Sequence, residues 1–71
     1  MKIDEVIGII KELFKDINIE ITGKTELYND LALSSLDMML LVTKCEQNYK
    51  MNIEALAKAT NVEELARAFE K

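Results

Sequence analysis

Apolar residues recur every three or four positions at the start of the chain, and this spacing predicts an amphipathic helix over Ile3–Lys15. Helical spacing is then lost from Asp16 to Leu33. Apolar and polar residues alternate over Ile17–Ile21, as in a β-strand, but the rest of the chain offers no partner strand. We therefore expect a long loop, and such loops often carry function. The side chains expected to fix it to the core are its isoleucines with Leu27, Leu31 and Leu33.

Three more helices are predicted in the second half of the chain. The first covers Ser35–Tyr49, the next is short and covers Ile53–Lys58, and the last begins at Thr60 or Asn61 and ends near Glu70. A polar cap with an acid three residues later, present twice in TNVEE, marks the start of the last helix. The 71 residues form a single domain, 1–71, and we expect an all-α fold. It is a small four-helix bundle, with a long loop between helices 1 and 2.

The second predicted helix has two apolar faces when its residues are placed about 100° apart. A core face is formed by Met38, Leu41, Val42, Cys45 and Tyr49. A second face is formed by Leu36, Met39, Leu40, Thr43 and Gln47. A small domain needs one such face for its core, so the second is either covered by the long loop or exposed for a partner. Methionine suits a docking surface because its side chain is flexible and polarizable.

The amino-acid composition argues against several classes of function for this chain. The net charge of −4 disfavours nucleic acid and anionic lipid as partners and suits proteins with basic patches. Histidine is absent, which removes the commonest general base and metal ligand. Gly8 and Gly23 are the only glycines, so there is no glycine-rich phosphate loop. We therefore expect no catalytic residues, no bound metal and no enzymatic activity.

The single cysteine, Cys45, bears on stability and location. It cannot form an internal disulfide, and no Cys/His cluster could hold a structural zinc ion. The domain must therefore fold by hydrophobic packing alone, which gives a chain this short a stability on the order of 3–5 kcal/mol. A free thiol fits a reducing cytoplasm. No stretch is apolar enough to insert into a membrane, and no secretory signal opens the chain. Since the chain begins at Met1, we interpret it as a complete, freestanding, monomeric cytoplasmic protein.

Two adjacent serines stand where the long loop meets the second helix, in NDLALSSLDMMLL (29–41). Ser34 is placed to cap this helix, since its hydroxyl can accept a hydrogen bond from the backbone N–H of Asp37. The carboxylate of Asp37 also suits the positive first turn. Capping explains one serine only. Ser35, taken alone, is an ordinary first-turn residue, so its surroundings decide its role.

Residues 30–37, DLALSSLD, resemble the signature DLGxDSLD of acyl carrier proteins. The resemblance covers nearly the whole chain. TELYNDL (25–31) is similar to the segment that leads into the signature, and LLVTKCEQNYKMNI (40–53) to the second helix and the extended turn after it. KATNVEELARAF (58–69) is similar to the third and fourth helices of the family. The length of the chain, its acidity, the order of its predicted helices and its lack of histidine also agree with this family.

The resemblance implies that Ser35 carries a covalent phosphopantetheine, transferred from coenzyme A by a phosphopantetheinyl transferase, which makes the chain a phosphoprotein. Acyl carrier proteins hold acyl intermediates as thioesters on this arm. They present them to acyl-transferring or condensing enzymes of fatty acid, polyketide or related lipid metabolism. A phosphodiester at Ser35 would lie at a helix N-terminus, which favours an anion. The residues expected to meet partner enzymes beside it are Leu36, Asp37, Met39, Leu40 and Thr43.

Two positions depart from the signature. Ser34 replaces the usual aspartate, which removes a negative charge beside the attachment point and leaves two candidate serines. Leu36 and Asp37 fix the register in favour of Ser35. Ala32 replaces the usual glycine, so the loop there either needs no positive φ angle or tolerates one at a cost.

The second helix also carries fewer acidic residues than is usual in the family. Leu40, Lys44 and Gln47 stand where acids are common, although Asp37 and Glu46 are kept. We therefore expect docking that is more apolar and less sensitive to salt, and a dedicated set of partners outside general fatty acid synthesis. A softly packed bundle could also open to shelter an apolar chain between its helices.

Three other functions stay open. A peptidyl or aminoacyl carrier of a nonribosomal pathway shares the fold and the arm, and only the cargo separates it from an acyl carrier. A carrier-like helical adaptor that is never modified is kept open by the departure at Ser34. A small enzyme with Ser35 as its nucleophile lacks a base, because the chain has no histidine and no lysine near that serine.

Overall fold

A computed structural model describes all 71 residues and contains four helices and one pair of two-residue strands. In chain order these are α1 (Ile3–Leu13), α2 (Ser35–Glu46), β1 (Lys50–Met51), α3 (Ile53–Lys58), α4 (Val62–Arg67) and β2 (Phe69–Glu70). The predicted number and order of helices are confirmed, and α3 has the predicted bounds. The strand pair was not predicted, so the chain is mostly helical with a small antiparallel element. None of the helices is long and apolar enough to cross a membrane.

The core lies between α1, α2 and α4, and α3 packs against α4. On α1 the predicted apolar stripe is confirmed, with Val6 and Ile10 fully buried and its other members partly buried. On α2 the predicted core face contributes Leu41 and Cys45 as buried residues. Phe69 has no exposed surface and is the largest fully buried side chain. Burying such a side chain contributes about 1.5–3 kcal/mol, which is comparable with the net stability of a domain this small.

Three helices end earlier than their patterns predict. α1 ends at Leu13 rather than Lys15, α2 at Glu46 rather than Tyr49, and α4 at Arg67 rather than Glu70. The last two differences have one cause, because the residues that follow α2 and α4 pair as antiparallel strands, with Met51 opposite Phe69. This pairing fixes the C-terminus of the chain to the segment between α2 and α3.

The segment between α1 and α2 is a loop, as predicted, and forms no strand over Ile17–Ile21. Its three leucines are buried, but Ile19 is 49% exposed, so the expectation that every isoleucine faces the core is wrong for this residue. The loop is fixed to the start of α4 by backbone hydrogen bonds. Val62 N–H donates to Thr25 O at 3.0 Å, and Glu63 N–H donates to Gly23 O at 2.8 Å. These bonds satisfy donors that a helix N-terminus otherwise leaves unpaired.

Just before α2 the loop passes through a strained residue. Ala32 has φ = 54° and is the only residue with positive φ that is not glycine. Of the two alternatives drawn from the sequence, the second is therefore correct: this position requires a positive φ, which alanine adopts at a cost of roughly 1–2 kcal/mol.

Ala32→Gly is expected to raise the free energy of unfolding by about 0.5–1 kcal/mol, because relief of the strain exceeds the added chain entropy. Urea denaturation followed by far-UV circular dichroism measures the change. Ala57→Gly, in the exposed part of α3, is the matched control and should destabilise the protein by about 1 kcal/mol. Equal destabilisation by both substitutions would contradict the assignment of strain to Ala32.

Candidate attachment site at the start of α2

Ser34 caps α2 through a reciprocal pair of hydrogen bonds. Its Oγ accepts from the backbone N–H of Asp37 at 3.1 Å, and its own backbone N–H donates to Asp37 Oδ2 at 3.0 Å. The predicted cap is thus confirmed. Since Oγ accepts this bond, the Ser34 hydroxyl is engaged in holding the helix start, a contribution of about 1 kcal/mol in typical helices.

Ser35 is the first residue of α2 and has a different environment. Its side chain is exposed, and its hydroxyl makes no hydrogen bond within the protein. The backbone N–H groups of Ser35 and Leu36 are likewise without an acceptor, because they precede the first intrahelical bonds of a twelve-residue helix. A free hydroxyl therefore stands beside unpaired N–H donors at the positive end of the α2 dipole.

The second apolar face of α2 is exposed, and the long loop does not cover it. Leu36 is 66% exposed, Met39 65% and Leu40 50%, which is unusual for three large apolar side chains on adjacent turns. Thr43 continues the same face and is also exposed. We call these four residues, Leu36, Met39, Leu40 and Thr43, the docking face, after the partner docking that the sequence leads us to expect there. It begins one residue after Ser35.

An ion pair borders the docking face on the side of α1. Lys44 Nζ lies 3.6 Å from Glu12 Oε1, so the lysine side chain is directed toward α1. An exposed pair of this kind contributes little stability. The pair matters more for the charge of the surface. Lys44 is the one lysine of α2; Glu12 offsets its charge and holds its side chain beside the docking face, so the lysine does not cover that face.

An open apolar groove of about 510 Å³ lies between α2 and α3, next to the docking face. Its α2 wall includes Met39 and Thr43, which therefore belong to both surfaces. Among its ten lining residues only Thr43 and Glu46 are neither aliphatic, aromatic nor sulfur-containing. The remaining wall is formed by Tyr28, Met38, Val42, Met51, Leu56, Ala57 and Ala59.

Comparison with protein families decides the class of this chain. The family model described as the phosphopantetheine attachment site matches residues 4–69, which is nearly the whole chain. The chain belongs to this family. Comparisons with curated proteins and with solved structures found no match. Proteins of the phosphopantetheine-attachment family carry a covalently attached phosphopantetheine and act as carriers.

The residues at the start of α2 suit this prosthetic group. A phosphodiester link needs a serine hydroxyl that the transferase can reach, and N–H donors nearby favour its negative charge. Ser35 meets both requirements, since its hydroxyl is exposed and unbonded and its own N–H has no acceptor. Ser34 meets them less well, because its Oγ already accepts the Asp37 N–H. When bound, the group supplies a thiol that carries the cargo.

Cys45 is the one thiol of the protein itself, and it takes no part in the site. It is 1% exposed, on the predicted core face of α2. Burial, together with the nearby charges of Glu46 and Glu5, raises the pKa of this thiol to about 11. The thiol is therefore protonated at neutral pH and is a poor nucleophile. No cluster of acidic or sulfur ligands that could hold a metal ion is present either.

Sequence reasoning missed the groove. Met38 was predicted as a core residue, but it is only partly buried and lines the groove. Tyr28 and Met51 were not assigned to any site, because they lie outside α2 and no helical spacing relates them to its faces. The Lys44–Glu12 pair was missed for the same reason. The packing of α3 against α4 and the pairing of β1 with β2 place the walls of the groove side by side, and the packing of α1 against α2 brings Glu12 to Lys44.

Proposed function

We propose that this chain is an acyl carrier protein that holds acyl groups as thioesters on a phosphopantetheine attached to Ser35. The proposal rests on the different environments of the two serines. Ser34 caps α2, while Ser35 keeps an exposed and unbonded hydroxyl beside free N–H groups. Membership of the phosphopantetheine-attachment family supports this function. We propose that the architecture is a four-helix bundle.

The direct test is modification in vitro. The protein is incubated with coenzyme A and a broad-specificity phosphopantetheinyl transferase, and intact and peptide masses are recorded. A single adduct mapped to Ser35 supports the proposal. An adduct on Ser34 overturns the assignment of the site. No adduct with any transferase overturns the carrier function and supports an unmodified helical adaptor.

The docking face is where we propose that partner enzymes bind. Leu36, Met39 and Leu40 project from it beside Ser35, and Asp37 and Thr43 complete the contact. Among the charges of α2, Lys44 is neutralised by Glu12 and Asp37 is bonded to the Ser34 N–H. The partners are the transferase and acyl-transferring or condensing enzymes, and their complementary surface is expected to be mainly apolar.

Docking on such a face should respond weakly to salt. The KM of the transferase for this protein is expected to rise by less than about threefold between 50 and 500 mM salt, because few exposed charges take part. Leu40→Glu, which restores an acid common at this position in carriers, should make the KM more salt-dependent than in the unmodified sequence. A steep salt dependence of the natural protein would contradict an apolar interface.

The apolar groove supports an acyl rather than a peptidyl cargo. Its volume of about 510 Å³ and its mostly aliphatic and methionine lining would shelter a hydrocarbon chain from water. We expect the amide spectra of the octanoyl and acetyl forms to differ at Val42 and Met51, which line the groove. As a control, Ile19 in the long loop should be unaffected. Identical spectra would contradict shelter of the cargo.

The wider assignment follows from the carrier role. We infer that the chain is not an enzyme, acts as a cytoplasmic monomer and serves fatty acid, polyketide or related biosynthesis. Neither nucleic acid nor a membrane is expected as a partner, given the net charge of −4. An aminoacyl or peptidyl cargo is the alternative, and charging assays with acyl- and aminoacyl-activating enzymes would separate the two.

A further inference from the structure

Three of the four methionines in the chain line one groove. Met38 and Met39 lie on its α2 wall, and Met51 lies in β1 on the opposite side. They differ in access to solvent, because Met39 is 65% exposed whereas Met38 and Met51 are partly buried. Met39 is also the one methionine that belongs to both the groove and the docking face.

Met39 lies one helical turn after Ser35. Residues four apart on an α-helix are neighbours, with Cβ atoms about 5–6 Å apart. A partner that reaches the Ser35 hydroxyl therefore covers the Met39 side chain. The other apolar residues of the docking face, Leu36 and Leu40, are aliphatic, so the thioether of Met39 is the only readily oxidised side chain of this face.

We propose that Met39 is a modification site: hydroperoxides oxidise its thioether to the sulfoxide, and this lowers the attachment reaction at Ser35 and the docking of partners. The inference rests on the proposed carrier function, since it concerns the regulation of the same site. The modification would make the activity of the carrier depend on the oxidative state of its surroundings.

The chemistry is a two-electron transfer. A sulfur lone pair attacks one oxygen of hydrogen peroxide, the O–O bond breaks and an S–O bond forms. The sulfur is oxidised to the sulfoxide, and the peroxide is reduced to water after a proton moves between its oxygens. Methionine sulfoxide reductases reverse the change with electrons from thiols. Each direction thus has a named co-reactant, and the protein supplies only the sulfur.

The sulfoxide alters the docking face because it replaces an apolar, flexible side chain with a polar one. Its S–O dipole would have to be desolvated when an apolar partner surface covers it. Met39 carries its side chain at the surface, so the fold has no need to adjust. The expected result is a loss of docking without a loss of structure.

The first measurement is the order of oxidation. The unmodified protein is treated with hydrogen peroxide, and sulfoxide formation at each methionine is followed by peptide mass spectrometry. Met39 is expected to react about fivefold faster than Met38 or Met51, in line with its exposure. Reaction at Met38 or Met51 as fast as at Met39 would overturn the site assignment.

The second measurement compares the transferase reaction before and after peroxide. In the natural sequence kcat/KM at Ser35 is expected to fall about fivefold, as when one central apolar contact is lost from an interface. Met39→Leu lacks the sulfur and should keep its own starting rate after the same treatment, whatever that rate is. Met51→Leu is the matched control from the far side of the groove and should fall like the natural sequence.

These outcomes separate the inference from the proposed function. If no adduct forms on either serine of the untreated protein, the carrier function fails. If the adduct forms and its rate is the same before and after oxidation, the function stands and the role of Met39 is overturned. An equal fall in Met39→Leu and the natural sequence would also overturn it, because the loss would then come from another residue.

Discussion

Ser35→Ala is expected to abolish phosphopantetheine attachment completely while changing the free energy of unfolding by less than about 0.5 kcal/mol. The Ser35 side chain is exposed and makes no hydrogen bond, so its removal leaves the fold with the same contacts. Ser34→Ala should give the opposite result. It removes the acceptor of the Asp37 N–H and should cost about 1 kcal/mol, while the adduct still forms.

Urea denaturation and intact mass after the transferase reaction measure both effects on the same two proteins. Ser34→Asp is the informative control, since aspartate caps a helix about as well as serine and restores the residue usual in acyl carrier proteins. It should leave stability within a few tenths of a kcal/mol and should not slow attachment. If Ser34→Ala loses the adduct and Ser35→Ala keeps it, the roles given to the two serines are reversed.

Phe69→Ala is expected to unfold most of the protein at 25 °C. Phe69 has no exposed surface, and truncation of such a buried aromatic typically costs about 3–5 kcal/mol. A domain of this size holds roughly 3–5 kcal/mol in total, so the loss consumes most of its stability. Phe69 is also the residue of β2 that pairs with Met51, so its side chain anchors the strand pair to the core.

Far-UV circular dichroism and the dispersion of the amide spectrum measure the folded fraction. Phe14→Ala is the matched control, because Phe14 is the only other phenylalanine and is partly buried at the edge of the core. It should lower stability by about half as much, in proportion to the smaller area buried. A well-folded Phe69→Ala protein with a native amide spectrum would show that the core does not depend on this side chain.

The start of α2 could be predicted from the sequence because it depends on residues close together in the chain. A capping box needs only a serine and an acid three positions later, and Ser34 and Asp37 form it as expected. The apolar spacing of α1 likewise predicts which of its side chains are buried, with Val6 and Ile10 at the centre. Such local rules do not extend to helix ends, which were predicted too late in α1, α2 and α4.

The sequence by itself therefore determined the number of helices, the cap at Ser34 and the two-faced character of α2. Tertiary structure decided whether the second face is covered, and it leaves Leu36 and Met39 exposed. It also formed the groove and ended α2 and α4 early, by pairing Met51 with Phe69. The physical reason is that spacing along the chain reports which side chains share a face. Only the packing of distant segments determines what, if anything, lies against that face.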